Sequence, residues 1–137
     1  MFTIGQIAKK TGLKIPTIRY YEQEKLIAAI GRSAGNQRRY SPEELDRLIF
    51  IKHGRDLGLS LDDIRELVKL SGDPDRSCAT ANQIAAEHLI AVRERISKLQ
   101  ALEQELDRIA NSCHGKTVGE CYVIEALSNH TLCKHTH

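Results

Sequence analysis

Apolar residues recur at helical spacing from the start of the chain. Ile4 and Ile7 lie one turn apart, which predicts a short amphipathic helix. Thr3 precedes this stripe and Gln6 follows three residues later, which is the pattern of a capping box at a helix N-terminus. Gly12 is the natural end of this helix, because glycine adopts the left-handed conformation of a helix C-terminus without strain.

A second short helix is predicted after a turn. Pro16 suits its first turn, where the missing N–H costs nothing, and Thr17 and Arg19 also fall in its first turns. Two short helices joined in this way are typical of a helix-turn-helix. In that motif the N-terminal residues of the second helix meet base edges in the major groove of DNA.

Turn-forming residues then interrupt the helical pattern. The stretch GRSAGN predicts the turn of a small hairpin. This hairpin carries Arg32, Arg38 and Arg39, and it therefore forms a basic wing that can reach phosphates.

Three more helices follow. Ser41 and Glu44 form a second capping-box pattern, and Ser60 caps the next helix. The longest pattern covers residues 79–111, which contain no Pro or Gly, and a helix of that length spans about 50 Å. Its apolar residues follow at steps of three and four, which predicts a coiled-coil seam: Ala85, Leu89, Val92, Ile96, Leu99, Leu102, Leu106 and Ile109. The N-terminal helices are too small to cover this seam, so the pattern favours a homodimer over packing within one chain.

The composition indicates the cellular compartment of the protein and the chemistry of its cysteines. The 137 residues include no Trp and two Phe, so we expect a core of Leu, Ile and Ala. No run of about 18 apolar residues and no signal peptide is present, so we expect a cytoplasmic protein with reduced thiols and no membrane partner. Four cysteines in that compartment indicate metal or redox chemistry before a disulfide framework.

The net charge of +2 is distributed unevenly. Residues 1–55 carry eleven Lys/Arg against five Asp/Glu, whereas residues 56–137 carry nine against thirteen. The alternative is that the arginines only solvate an ordinary helical bundle. The order of helix, turn, Pro-led helix and basic hairpin agrees better with double-stranded DNA as the partner.

Three cysteines flank the long helix. Cys78 precedes it, and Cys113 and Cys121 follow it. Within one chain Cys78 and Cys113 are about 52 Å apart by the helical rise, so they cannot share a ligand. In an antiparallel pair of helices, Cys78 of one chain lies beside Cys113 and Cys121 of the other, and three thiolates converge. The alternative is that these residues are small buried hydrophobes.

The motifs IGQIAKKTGL, TIRYYE, GRSAGNQRRYS and LGLSLDDIRELV, with the long helix and the terminal cysteine loop, resemble those of MerR-family transcriptional regulators over nearly the whole chain. The resemblance implies a mainly α fold. A winged helix-turn-helix DNA-binding domain with connecting helices is expected at residues 1–72, and a long antiparallel coiled-coil dimerisation helix at 73–112. A metal-binding loop, a short helix and a Cys/His-rich tail are expected at 113–137. The turn after the second helix reads EQEKL, where the family often has glycine.

The resemblance also implies a mode of action. Such regulators bind as homodimers to promoters whose spacer is too long for RNA polymerase, and the effector makes them distort the DNA and activate transcription. Of Tyr20 and Tyr21, one is expected in the core and the other at a phosphate. The DNA contacts predicted from the helix-turn-helix pattern and the resemblance are Lys14, Thr17, Arg19, Tyr20, Tyr21, Arg32, Arg38, Arg39 and Tyr40.

The cysteine set indicates the effector. Too few residues follow the long helix for the separate domain of drug-sensing members, and the loop cannot supply the four-cysteine cluster of iron–sulfur members. Copper(I) sensors resemble this loop but have a non-ligating residue where Cys78 stands, and a third thiolate suits a divalent soft or borderline ion. We predict Cd(II), Pb(II) or Zn(II) bound by Cys78, Cys113 and Cys121, in an activator of metal-resistance or efflux genes.

Further metal ligands are drawn from the histidines and the remaining cysteine. Cys/His-rich tracts bind metals. The alternative for the tail is that it has no regulatory role, and the alternative for His114 is an exposed position in the loop. The secondary candidates are His88, His114, His130, Cys133, His135 and His137.

Three other functions stay open at this point. One is a thiol-, redox- or mercury-responsive regulator of the same family, and another is a DNA-binding dimer with purely structural zinc. The third is a zinc-dependent enzyme, which needs an open coordination site beside a general base. Because no H-E-x-x-H or C-x-x-C arrangement is present, we predict that the protein is not an enzyme.

Overall fold

The computed structural model describes residues 1–35, 37–112 and 115–129. In chain order the elements are α1 (Ile4–Thr11), α2 (Ile15–Gln23), β1 (Gly31–Arg32), β2 (Arg38–Arg39), α3 (Pro42–Asp56), α4 (Leu61–Ser71), α5 (Ala79–Asn111), a short 3-10 helix (Val118–Glu120) and α6 (Tyr122–Ser128). The described chain is mainly helical and includes a two-stranded sheet. It divides into two compact units, Met1–Asn82 and Gln83–His137, whereas the sequence placed a boundary after residue 72.

The first helix begins and ends where the sequence predicted. Thr3 Oγ1 accepts a hydrogen bond from Gln6 N at 3.2 Å, and Gln6 Oε1 accepts one from Thr3 N at 2.8 Å. This reciprocal pair is a capping box. Gly12 has a φ of 75°, in the left-handed region that glycine adopts without a Cβ penalty. The next helix has Pro16 in its first turn, as expected.

The wing is an antiparallel hairpin that joins the N-terminus at its base. Gly31 pairs with Arg39 and Arg32 pairs with Arg38. The backbones of Phe2 and Tyr40 exchange two hydrogen bonds, each of 2.8 Å. The hairpin is therefore attached to the start of the chain, immediately before α1.

The start of α3 differs in one respect from the predicted capping box. Ser41 Oγ accepts a hydrogen bond from Glu44 N at 3.2 Å, as expected. The Glu44 carboxylate, however, accepts a hydrogen bond from Ala28 N at 2.9 Å. A contact between distant parts of the chain has therefore engaged the carboxylate. Helix α4 begins as predicted, since Ser60 Oγ accepts a hydrogen bond from Asp63 N at 3.1 Å.

The core of the first unit is largely aliphatic. Its most deeply buried large side chains are Ile7, Ile18, Tyr40, Leu48, Ile51 and Ile64. Helices α3 and α4 approach closely at Gly54, where a Cβ would lie 2.9 Å from Ile64 Cγ1. Because carbon atoms normally pack at about 3.5–4.0 Å, a Cβ at this crossing would force Ile64 to move, which favours glycine.

The predicted seam of α5 is exposed along much of its length. The exposed fractions are 46% for Leu89, 49% for Ile96, 57% for Leu99 and 64% for Leu106. Only toward the end of the helix does the seam become buried, at Ile109. Exposing contiguous apolar surface to water is unfavourable, so this stripe suits a further partner. No helix within the described residues is long and apolar enough to cross a membrane.

Candidate DNA-binding face and metal loop

Helix α2 presents most of the predicted recognition residues to solvent. Lys14, Arg19 and Tyr20 are exposed, and Thr17 is half-buried. Tyr20 is 46% exposed, whereas Tyr21 is only 6% exposed. Tyr21 is therefore the tyrosine in the core, and Tyr20 is the one that can reach a phosphate. The DNA contact that the family resemblance implied for Tyr21 is not supported by its burial.

Arginines of the recognition helix and the wing converge on one groove. Arg19 of α2 lines an open groove of about 690 Å³ together with Arg32 and Arg38 of the hairpin. The first residues of α1 line the same groove, namely Thr3, Ile4 and Gly5. Guanidinium groups and helix N-termini both bind anions. Arg39 is half-buried and does not line this groove.

Glu22 joins the recognition helix to the wing. Its carboxylate forms an ion pair with Arg38 and accepts a hydrogen bond from Tyr40 Oη at 3.3 Å. Tyr40 has no exposed surface, and this burial, followed by the negative charge of Glu22, raises the pKa of its hydroxyl. The burial argues against the predicted DNA contact by Tyr40, because an enclosed side chain cannot touch DNA. Its hydroxyl helps instead to hold the wing against α2.

The end of α2 is held by α4. Arg65 Nη1 donates a hydrogen bond to Glu24 O at 2.8 Å, and Arg65 Nη2 lies 3.5 Å from Glu24 Oε2. The next residue, Lys25, has a φ of 62°, a left-handed conformation that costs non-glycine residues energy. This is the turn in which the family often has glycine. The sequence assigned no role to Arg65 or Glu22, although Glu22 stands within the quoted motif TIRYYE.

The structure describes two of the three predicted thiol ligands. Cys78 is exposed immediately before α5, and its carbonyl accepts a hydrogen bond from Asn82 N at 2.9 Å. Cys121 is half-buried immediately before α6, and its carbonyl accepts one from Glu125 N at 3.1 Å. Each cysteine therefore stands at the start of a helix. The other predicted ligands after α5 lie outside the described residues: Cys113, His114, His130, Cys133, His135 and His137.

The part of the chain that the structure describes contains no group of three or more potential metal-ligating side chains. His88, the remaining secondary candidate, is half-buried on α5. The described residues therefore do not test the predicted three-thiolate site.

The segment before Cys121 is closed by a tight contact. A Cβ on Gly115 would lie 2.4 Å from Glu120 Cβ and 2.5 Å from Glu120 O. The Glu120 carboxylate also accepts a hydrogen bond from Lys116 N at 3.4 Å, and Glu120 N donates one to Thr117 O at 3.1 Å. Gly115 and Glu120 thus approach each other so closely that only glycine fits at position 115.

A group of polar side chains fastens α6 to α5. Arg108 Nη2 donates a hydrogen bond to Glu105 Oε2 at 2.8 Å, and Arg108 Nη1 donates one to Tyr122 Oη. The guanidinium carbon of Arg108 lies 5.7 Å from the centre of the Tyr122 ring. The hydrogen bond to Glu105, followed by that to Tyr122, raises the pKa of Arg108. None of these residues was singled out from the sequence, although Glu105 and Arg108 have the i,i+3 spacing of a helical ion pair.

Two family models match the chain. The model described as MerR HTH family regulatory protein matches residues 2–70. The model described as MerR, DNA binding, matches residues 45–109. Together they extend from the helix-turn-helix through most of α5.

Individual proteins are similar over nearly the whole chain. The HTH-type transcriptional regulator ZntR of Escherichia coli (strain K12) is 38% identical over 130 residues, which are 93% of this chain and 92% of ZntR. The crystal structure of PbrR691 from Ralstonia metallidurans CH34 in complex with lead(II) matches with a TM-score of 0.79 at 37% identity, covering 93% of this chain and 99% of that one. The crystal structure of MerR from Bacillus megaterium MB1 in complex with mercury(II) matches with a TM-score of 0.68 at 28% identity, covering 93% and 100%.

These matches confirm the predicted fold class, a mainly helical chain with a MerR-type DNA-binding domain followed by a long helix. The prediction that the protein is not an enzyme is also confirmed, because the relatives are transcriptional regulators. This chain belongs to the MerR family of helix-turn-helix transcriptional regulators.

Proposed function

We propose that this protein is a metal-responsive regulator that binds promoter DNA as a homodimer and activates transcription when a divalent soft or borderline ion binds. The candidate ions are Cd(II), Pb(II) and Zn(II), and the proposed ligands are Cys78, Cys113 and Cys121. The observation that supports the proposed DNA binding is the convergence of Arg19, Arg32 and Arg38 on one groove.

That groove suits the edge of a DNA duplex. Phosphate contacts position a protein on DNA, and side chains on a recognition helix then read the bases. The wing arginines and the N-terminus of α1 supply anion-binding groups, while the exposed Arg19 and Tyr20 stand on the recognition helix. The contacts proposed for Lys14 and Thr17 rest on their positions at the start of α2, and the contact proposed for Arg39 rests on its position in the hairpin, where it is the most enclosed of the arginines on the wing.

The exposed seam of α5 supports a dimer. Four of its apolar side chains are close to half exposed or more, and a second copy of the same helix would cover them by knobs-into-holes packing. We propose an antiparallel pair, because that arrangement brings Cys78 of one chain to the loop cysteines of the other. Each metal site is then built from both chains.

The closed loop supports a shared role for the two loop cysteines. Cys121 directly follows Glu120, and Cys113 precedes Gly115 by two residues, which is at most about 7 Å of extended chain. We propose that the contact of Gly115 with Glu120 allows both loop thiols to bind one ion. Thiolates prefer soft and borderline ions, and three of them suit a divalent one.

The relatives agree with a metal effector without deciding its identity. PbrR691 was crystallised with lead(II) and the Bacillus megaterium MerR with mercury(II). Mercury responsiveness is therefore the second candidate, and titration of the metal-free protein with Cd(II), Pb(II), Zn(II) and Hg(II) ranks the ions. Promoter output with RNA polymerase, measured in the same titration, distinguishes a sensor from a dimer with structural zinc, whose output would not follow the metal.

A mixed dimer tests the proposed site directly. A Cys78→Ser chain is combined with a Cys113→Ser/Cys121→Ser chain, and the heterodimer is isolated. One end then retains Cys78 from one chain and both loop cysteines from the other, while the opposite end has none of the three thiols. The heterodimer should bind one ion tightly, although neither mutant homodimer has a complete site. A heterodimer that binds no better than the homodimers would show that the sites do not span the two chains.

The proposed DNA binding is tested with a separate variant. Arg19→Ala should weaken specific operator binding by roughly 1–3 kcal/mol and leave the metal affinity unchanged. The matched control is Arg76→Ala, which removes an exposed arginine outside the groove. Equal operator affinity in the Arg19→Ala variant and the wild type would contradict the assignment.

A further inference from the structure

The residue that follows Cys121 is tied to the long helix. Tyr122 begins α6, and its hydroxyl accepts a hydrogen bond from Arg108 Nη1. The same guanidinium donates to Glu105 Oε2 at 2.8 Å and lies over the Tyr122 ring. Glu105 and Arg108 both belong to α5. One hydrogen-bonded chain therefore leads from α5 to the residue next to the thiol.

This cluster is enclosed. The side chain of Glu105 is 4% exposed and that of Arg108 is 20% exposed. A buried carboxylate is unfavourable unless it is paired and hydrogen-bonded, so the Glu105 side chain holds Arg108 firmly in place. The guanidinium is planar and presents its donors in a rigid fork. With Nη2 directed to Glu105, the direction of Nη1 is set, and with it the place of the Tyr122 hydroxyl.

Apolar burial acts in the same unit. Ile109 on α5 and Ala126 on α6 are buried, with 7% and 2% exposure. Apolar packing is non-directional and does not define where a helix begins along its neighbour. The directional hydrogen bonds of Arg108 supply that register at the first residue of α6.

We propose that Glu105, Arg108 and Tyr122 form a positioning cluster that fixes Tyr122 on α5, and with it the place of the adjacent Cys121, in advance of metal binding and thereby sets the affinity of the metal site. The inference rests on the proposed function in that Cys121 is taken as a metal ligand. Groups outside the ligand set that orient the ligands commonly change metal affinity by about 10–100-fold. Holding a ligand in its bound position reduces the entropy that binding must otherwise cost.

The coupling is reciprocal. If the cluster favours metal binding, then metal binding must stabilise the cluster by the same factor. Metal should therefore slow amide hydrogen exchange in α6 of the wild type, and it should do so less when the hydroxyl of Tyr122 is absent.

Tyr122→Phe is the decisive variant, because it removes the hydroxyl and keeps the ring. Competition of the full-length dimer with a chromophoric chelator for Cd(II) should give an affinity about tenfold weaker than the wild type. The thiolate–metal absorption at saturation should be unchanged, because the ligands themselves are intact. Arg108→Lys should give a similar loss, since an ammonium group does not reproduce the two-sided fork. The matched control is Ser128→Ala, which removes a hydrogen bond from Ser128 Oγ to Ile124 O within α6 and should bind Cd(II) as the wild type does.

The outcomes distinguish the positioning role from the metal-sensing function on which it rests. Equal Cd(II) affinity in Tyr122→Phe and the wild type would overturn the positioning role while leaving the sensor intact. Equal losses in Tyr122→Phe and Ser128→Ala would overturn it too, because the effect would then be a general weakening of α6. If Cys121→Ser binds Cd(II) as tightly as the wild type, both proposals fall. The effects of Tyr122→Phe and Glu105→Gln should also be non-additive, because both variants disrupt the same cluster. The double variant should lose little more affinity than either single variant.

Discussion

Replacing Gly115 by alanine should open the loop before Cys121. The added Cβ would lie 2.4 Å from Glu120 Cβ, 2.5 Å from Glu120 O and 2.8 Å from Glu120 C. Carbon atoms in proteins pack at about 3.5–4.0 Å, so the two carbon contacts are too short by at least about 0.7 Å. Two of the three atoms belong to the backbone, which cannot rotate away as a side chain can. The segment must therefore move apart.

The size of the effect follows from this overlap. Forcing an extra carbon into a closed contact typically costs about 1–3 kcal/mol. If metal binding requires the closed loop, that cost is subtracted from the binding free energy. Since about 1.4 kcal/mol corresponds to a tenfold change in affinity, Gly115→Ala should weaken metal binding by between about fivefold and 150-fold.

The loop also contains its own control. A Cβ on Gly119 would have Thr117 Oγ1 as its nearest neighbour, at 4.0 Å, so Gly119→Ala fits without movement. Both variants should be titrated with Cd(II) in competition with a chelator, and operator binding of the metal-free dimers should be measured as well. Gly115→Ala should lose metal affinity and retain operator binding, while Gly119→Ala should retain both.

The local effect predicted at Gly115 would be refuted by wild-type metal affinity in Gly115→Ala. It would be refuted equally by the same loss in Gly119→Ala, because that result would mean that any added side chain disturbs the loop. A loss of operator binding in Gly115→Ala alone would also count against it, since the predicted effect is local.

Three further predictions concern the first unit, each measured by urea unfolding at a fixed protein concentration. Gly54→Ala should destabilise the protein by about 1 kcal/mol, because overpacking against Ile64 exceeds the gain in helix propensity; in an Ile64→Ala background this penalty should disappear. Lys25→Gly should be more stable than Lys25→Ala by about 0.5–1 kcal/mol, because both remove the charge but only glycine relieves the φ of 62°. Tyr40→Phe should flatten the fall in stability at alkaline pH: burial raises the pKa of the hydroxyl above its ordinary 10.0, so its contribution is complete below that pH and is lost as the pH rises above it. An unchanged alkaline slope in Tyr40→Phe would remove this explanation.

Glu22 shows how the wing acquires its place. Its carboxylate lies on the recognition helix and binds both the exposed Arg38 and the buried Tyr40. One residue therefore connects helix α2 to the hairpin. This explains how the hairpin, with only two residues in each strand, is held beside α2 at Arg38 and Tyr40.

Much of the chain could be read locally. The capping box at Thr3, the glycine end at Gly12 and the cap at Ser60 are contacts within three or four residues, and spacing along a helix determines them. The length of α5 and its seam followed in the same way from residues 79–111. Family membership followed from these local motifs taken together, because each motif alone is common and their order is not.

The choices that the sequence left open were decided by contacts between distant residues. Tyr20 and Tyr21 are neighbours of the same type, and only the packing of α2 placed one in solvent and the other in the core. Arg65 reaches Glu24 across 41 positions, and Glu44 leaves its predicted cap for Ala28. No spacing rule indicates such pairs.

The C-terminal part shows the same division. The sequence by itself determined the helix α5, the cysteines that flank it and the glycines of the loop. Only the tertiary structure showed that Gly115 meets Glu120 and that Arg108 bridges Glu105 to Tyr122. The physical reason is that helical propensity and capping depend on neighbours along the chain, whereas close approach, burial and the pairing of buried charges depend on which segments meet in space.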